Sequence, residues 1–297
     1  MGSRKDRIIP IVLEEADSVS EATRTLRSKT VQIPSSSNRE TLVAQSQSIK
    51  EMKSQEESAL DLRESLPSFN VPEKIIIAVD RVQDDNCSEF VTSGKSYSPL
   101  VMVKKAVEVF IHNKAILNSS HQFGLMGLNE TNVDWIQDFT SSPQDIINSV
   151  NAMKECQTED IFDLSSVFNM INRKIALNVA KSDVDDIPNF VVRLILIYGR
   201  SYTIPKLEKS EEIEKLLNCP YFTVDCVMTH EPVSSANNCD TIFRQLQQLD
   251  RKGFSYCFAV ARNAFDLYVS MAKLLSHPLQ RPPQDDAKYY LEKCTEV

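Results

Sequence analysis

Glycine is scarce in this sequence, six in 297 residues. That scarcity removes two nucleotide-binding readings, because a dinucleotide turn and a P-loop both need glycines where backbone meets phosphate. No apolar run approaches the roughly 18 residues a membrane-spanning helix needs. The stretch Ile8–Leu13 stops at Glu14 and Glu15. It is too short for a signal-peptide core and has no small-residue cleavage site behind it, so the expected location is cytoplasm and nucleus, with no membrane partner. The seven cysteines are odd in number and scattered, which argues against a disulfide framework and for reduced thiols. Net charge is −8, and no basic stripe alternates with aromatics. Direct nucleic-acid binding is therefore not expected. Neither G-x-S-x-G nor H-E-x-x-H occurs. His230-Glu231 runs into Pro232 without a second histidine, and Cys219, Cys226, His230 and Cys239 have no zinc-module spacing. Cys226 alternates within a strand pattern and reads as a small core residue.

The remaining residues fall into three parts. The first aromatic is Phe69, preceded by 17 Ser or Thr residues, so residues 1–70 are expected to be a disordered tail with at most a transient helix near Arg39–Leu62. Residues 71–276 show the alternation of an α/β domain. Lys74–Asp80 is a β-branched run ending in a carboxylate, as in a strand buried on both faces. A loop is expected over Arg81–Ser98, and Pro99 opens a helix carrying Val103, Val107, Phe110 and Ile111. Strands are expected at His121–Asn129, Asn132–Ile136, Phe190–Tyr198, Tyr221–Met228 and Phe254–Ala261. Helices are expected at Pro143–Met153, Asp163–Asn178, Lys209–Leu217, Asp240–Leu249 and Asn263–Leu275. His112 and His121 read as surface residues and Trp135 as a core or edge residue. Short strands separated by helices predict a doubly wound, mainly parallel sheet. Residues 277–297 form a C-terminal tail, and Pro278, Pro282 and Pro283 predict an extended segment.

Ligands of such a sheet bind beyond the carboxyl ends of its strands, which singles out Asp80. The metal-ion-dependent adhesion site of von Willebrand A domains uses that position: D-x-S-x-S after the first strand, a threonine from a later loop and an aspartate ending the central strand. Such oxygen ligands suit Mg²⁺. Here Val82 and Asp84 stand at the serine positions, Thr158 could supply the threonine, and the central strand ends in Tyr198-Gly199. The order of elements fits and the ligands do not, although Asp84 or Asp85 could supply an oxygen. Asp80 is then expected to cap a helix or bind loop amides, with no metal or other cofactor.

The segment Met271–Pro282 (MAKLLSHPLQRP), with Asn218–Phe222 (NCPYF) and Leu249–Tyr256 (LDRKGFSY), closely resembles the von Willebrand factor A-like subunit of BRISC and nuclear BRCA-A deubiquitinase complexes. The resemblance runs from about Pro72 to Pro283. It implies a von Willebrand factor A-like (Rossmann-like) fold with a degenerate metal site, and a non-enzymatic scaffold acting in a linkage-specific deubiquitinase assembly on non-degradative lysine-linked chains. It further implies roles in the DNA damage response, double-strand break repair, chromatin regulation and the cell cycle. The implied partners are an architectural subunit with ubiquitin-E2-variant domains, a JAMM zinc metalloprotease and its pseudo-enzyme partner, a ubiquitin-binding targeting subunit in the nucleus, and a serine hydroxymethyltransferase in the cytosol. The metalloprotease needs an H-x-H pair, and this sequence contains none. His277, Pro278, Leu279, Gln280, Arg281 and Pro282 are the expected partner-binding residues: an extended peptide loses little entropy on docking, and Arg281 offers a planar fork to a carboxylate or to backbone carbonyls, the alternative being that the peptide packs back on its own sheet. The alternative is a divalent-cation-dependent, ligand-binding A domain.

Overall fold

In a computed structural model, residues 70–84, 87–157, 161–175 and 188–287 are described. The expectations for residues 1–69, Asp85, Thr158 and residues 288–297 lie outside them. In chain order the first elements are β1 (Glu73–Asp80), β2 (Phe90–Thr92), β3 (Lys95–Tyr97), α1 (Pro99–Leu117), β4 (Gln122–Leu128), β5 (Val133–Thr140) and α2 (Pro143–Ala152). There follow β6 (Phe162–Asp163), α3 (Ser165–Lys174), β7 (Val191–Tyr198), β8 (Pro205–Lys206) and α4 (Glu211–Asn218). The chain continues through β9 (Phe222–Thr229), α5 (Cys239–Gln247), β10 (Cys257–Val260) and α6 (Ala264–Lys273) to a short 3₁₀ turn at Gln284–Asp286.

Successive side chains of a strand point to opposite faces. In β1, Ile75, Ile77 and Val79 therefore enter one core, and Ile76 and Ala78 the other. β7 divides the same way, with Ile195 and Ile197 on the first side and Leu194, Leu196 and Tyr198 on the second. A strand apolar on both faces needs helices over both. α1, α2 and α6 cover the first face through residues such as Val107, Ile146 and Leu267. α3, α4 and α5 cover the second through Phe168, Leu216 and Ile242. Side-chain caps start three of these helices: Ser142 accepts from the Asp145 amide, Ser210 from Ile213, and Asn263 from Phe265 and Asp266.

The main sheet has the order β10-β9-β7-β1-β4-β5. Its pairs are parallel except the edge strand β5, which runs antiparallel to β4. Counting only these strands along the chain, this is the doubly wound order in which strand order reverses beside the first strand. The reversal lies between β1 and β7, so Asp80 and the residues after Tyr198 flank the crevice.

Several boundaries differ from the sequence expectation. Arg81–Ser98 is not all loop: it holds the β2–β3 hairpin, whose turn residues Ser93 and Gly94 have φ of 51° and 72°. Positive φ at both central residues matches the right-handed strand twist. β5 extends to Thr140 because irregular register with β4 near Leu125 lets it continue pairing. Trp135 and Phe139 of β5 lie directly on β4, where a Cβ at Gly124 would come within 3.2 Å and 3.3 Å of their rings. The last strand is shorter, Cys257–Val260, and α3 ends at Lys174 rather than Asn178. Among the described residues, no helix is long and apolar enough to cross a membrane.

Candidate functional site at the two ends of the sheet

At the carboxyl end of β1, Asp80 is enclosed by its own chain. One carboxylate oxygen accepts from the Val82 amide at 3.2 Å and the other from the Gly199 amide at 3.1 Å. Binding of loop amides was the sequence expectation; the ion pair was not. Arg200 lays its guanidinium on both oxygens, with contacts of 3.1–3.3 Å, and neither side chain has more than 1% exposure. The remaining donors of Arg200 reach the Glu130 carbonyl at 2.7 Å and the Asn129 carbonyl. Its plane sits 4.3 Å from the Phe162 ring centroid. The charge that a metal ion would bring to Asp80 is thus supplied by a residue two positions past the end of β7.

The other described positions of the metal motif are equally committed. Val82 carries no oxygen ligand and joins an isolated bridge to Cys156. Asp84 accepts from the Ser201 amide at 2.7 Å, and its burial pushes its carboxyl up from the ordinary range. Tyr198, where the motif has an aspartate, points into the second core and donates to the Thr203 carbonyl at 2.7 Å. Burial raises its phenol well above the usual value. The space beside Asp80 measures about 10 Å³, room for one water at most. A divalent ion prefers several hard oxygens in near-octahedral array, and this set does not fit one.

Internal pairing continues along the rim. Glu231 binds Arg262 at 2.9 Å and accepts from the Ser88 amide and hydroxyl. Burial pushes the thiols of Cys87, Cys156, Cys219 and Cys239 up, and a hydrogen bond with Cys257 together with burial raises that of Cys226, away from the reactive thiolate form. Cys219 and His230 stand at opposite ends of β9, so the sequence cluster around them does not converge.

The amino end of the sheet holds a second, larger polar network. Glu73 pairs with Lys114 at 2.5 Å and Arg193 at 3.1 Å, and Arg193 pairs in turn with Asp225 at 2.7 Å. Burial alone would raise the Glu73 carboxyl, but Arg193 and Lys114 hold it below the ordinary carboxylate range. Arg281 forks onto both Asp225 oxygens and onto the Phe254 carbonyl, and stacks 4.0 Å from the Tyr256 ring centroid. His121, expected at the surface, is only 3% exposed and accepts the Glu73 amide on Nδ1 at 2.9 Å. His112 is exposed, as expected.

These contacts change the picture of the C-terminal segment. Residues 278–280 form a turn rather than an extended peptide, and the amides of Gln280 and Arg281 return to the His277 carbonyl. The physical reason is the buried Asp225, which draws Arg281 inward more strongly than solvent does. His277 is held by the Val71 carbonyl, Pro278 is buried, and Leu279 packs on the second core. Arg281, expected to offer its fork to a carboxylate or carbonyls, finds both within its own domain. Gln280 and Pro282 are the segment's exposed residues.

No family model matches the chain. Over 243 residues it is 33% identical to the BRISC and BRCA1-A complex member 1 of Pongo abelii, spanning 78% of this chain and 73% of that protein. The chain belongs to that family. The Homo sapiens member is likewise 33% identical over 233 residues, covering 76% and 70% of the two chains. Among solved structures, a von Willebrand factor type A protein from Catenulispora acidiphila superposes with a TM-score of 0.45 at 12% identity, over 70% of this chain and 43% of that one. The chain's domain is an α/β von Willebrand factor A-like fold, a mainly parallel sheet between two layers of helices. Arg200 was missed by sequence reasoning, whereas packing of the C-terminal segment back on its own sheet was the alternative weighed against docking. The one available signal was a charged residue two positions past a strand that is apolar apart from Arg193, as at Tyr198-Gly199-Arg200.

Proposed function

We propose that the chain is a non-enzymatic scaffold subunit of a linkage-specific deubiquitinase assembly acting on non-degradative lysine-linked ubiquitin chains. The observation that carries the reading is the 33% identity, over most of both chains, to proteins named as members of the BRISC and BRCA1-A complex. The geometry supports it: Asp80, Glu231, Glu73 and Asp225 are each bound to an arginine or lysine of the same chain, and the shifted thiols are pushed toward their neutral form. Catalysis would then reside in a JAMM zinc metalloprotease working with its pseudo-enzyme partner. The chain would be joined to them through the subunit bearing ubiquitin-E2-variant domains. A ubiquitin-binding subunit would target the nuclear form to DNA damage and repair sites, and a serine hydroxymethyltransferase would accompany the cytosolic form.

Within the C-terminal segment, the exposed Gln280 and Pro282 are the contact points this reading assigns to the architectural partner. The test is cleavage of diubiquitin by the homogeneous chain and by the catalytic subunits with and without it. No cleavage by the chain alone, with a higher yield of assembled complex on its addition, is the expected result. Robust cleavage by the chain alone would overturn the reading.

A further inference from the structure

Neighbouring strands of a sheet lie about 4.8 Å apart, and residues in one parallel register stand side by side with their side chains on one face. β9 and β10 pair in this way, and Cys226 stands opposite Cys257. Both side chains belong to the second core, and a hydrogen bond joins the two thiols. The strand spacing falls within the roughly 4.4–6.8 Å that a disulfide allows between its Cα atoms. The other described cysteines, Cys87, Cys156, Cys219 and Cys239, lie outside the strands.

The surroundings of the two thiols differ. Cys226 is wholly buried, and its sulfur contacts the Leu246 carbonyl of α5 at 3.9 Å. Cys257 begins the edge strand β10 and keeps 8% exposure, with the exposed Ala259 two residues on. The side chain of Gln284 covers that edge, accepting from the Cys257 amide at 2.6 Å and donating to the Cys257 carbonyl at 2.9 Å. A small oxidant therefore reaches Cys257 first. We infer that Cys226 and Cys257 form a site of reversible oxidation, at which a hydroperoxide closes the pair into a cross-strand disulfide. In the first step the Cys257 sulfur, its proton given up, attacks a peroxide oxygen. The S–O bond forms, the O–O bond breaks, and the departing hydroxide takes up the thiol proton as water. The Cys226 sulfur then attacks the sulfenic sulfur. The S–S bond forms, the S–O bond breaks, and the hydroxyl leaves with the Cys226 proton as a second water. The pair loses two electrons and the peroxide gains them. A disulfide holds its Cβ atoms about 3.8 Å apart, so closure draws β10 about 1 Å toward β9. A cross-link made against packing in this way is readily reduced. The same movement pulls the Cys257 backbone away from Gln284, which ties oxidation to the turn that follows Pro283. The site makes no use of Asp80 and does not depend on the assembly reading.

The test adds hydrogen peroxide to the folded full-length chain, blocks the remaining thiols, and maps the peptides by mass spectrometry without reductant. A cross-linked Cys226–Cys257 peptide is expected, two hydrogens lighter than its parts and separated by dithiothreitol. In Cys226→Ala the second step has no partner, so dimedone should trap a sulfenic acid on Cys257. Hydrogen exchange at the Cys257 amide should quicken roughly fivefold in the oxidised chain, the loss of one hydrogen bond. The cross-link in the unmodified chain decides the matter even if Cys226→Ala fails to fold. Peroxide that oxidises Cys87 and Cys156 while Cys226 and Cys257 stay reduced would overturn the inference. So would a cross-link that appears only when the chain is unfolded in urea. An unchanged exchange rate at Cys257 would overturn the link to Gln284.

Discussion

Arg200→Met removes the guanidinium from Asp80 while keeping much of the side-chain volume. Both side chains of the pair are buried, and breaking such a pair from one side costs about 3–5 kcal/mol because the other charge remains buried and uncompensated. Asp80 keeps the amides of Val82 and Gly199, which places the expected loss toward the lower end, about 3 kcal/mol. The carbonyls of Asn129 and Glu130 lose their donors as well. For a domain of this size, about 2–4 °C is lost per kcal/mol, so the melting temperature should fall by about 10 °C. A double-mutant cycle isolates the pair. Asp80→Asn should also destabilise, and the double variant should recover part of the loss, with a coupling of about 2 kcal/mol by urea denaturation. Losses that add to within about 0.5 kcal/mol would show that Arg200 and Asp80 act independently.

Further outcomes follow from the same contacts. Mg²⁺ or Mn²⁺ should leave the melting temperature of the unmodified chain unchanged, and a rise abolished by Asp80→Ala would show that the carboxylate is free for metal. Arg281→Met should destabilise by about 3 kcal/mol in urea, since Asp225 loses one of its two arginines; an unaltered midpoint would mean the segment turns outward in solution. His121 titrates near 4 in the folded chain against an ordinary 6.5. Between those values the unfolded chain takes up the proton and the folded one does not, so stability is full above about 6.5 and falls as pH drops toward 4. The fall from His121 is at most on the order of 3 kcal/mol, and His277 shifts in the same direction. Urea midpoints at pH 7 and pH 5 should differ less in His121→Gln, and an equal difference would refute that origin.

The parts of the fold set by local pattern were legible in advance. The buried runs of β1 and β7 are apolar at both parities, Pro99 and Pro143 open helices, and the last helix is expected from Asn263, which the structure shows as its cap. Their alternation is enough to put Asp80 at the mouth of the crevice. What escaped depends on side chains that reach between elements distant in sequence. Arg200 crosses from the end of β7 to Asp80, 120 residues earlier, and no periodicity marks such a reach. His121 reads as a surface residue at the start of a strand until the Glu73 amide arrives from β1. The prolines around Arg281 favoured an extended chain, yet the ion pair with Asp225 and the bond from the Tyr256 hydroxyl to the Pro282 carbonyl fold it back. The hairpin was different: Ser93-Gly94 is a turn signal, and the short strands beside it were read as loop.

The most direct test of the scaffold reading is affinity capture of the tagged, full-length chain from its own cells, followed by mass spectrometry. Recovery of a JAMM-type metalloprotease together with a protein bearing ubiquitin-E2-variant domains is the expected result, reduced in a folded Gln280→Arg, Pro282→Ala variant. Capture of the folded chain with neither of those partners would contradict it.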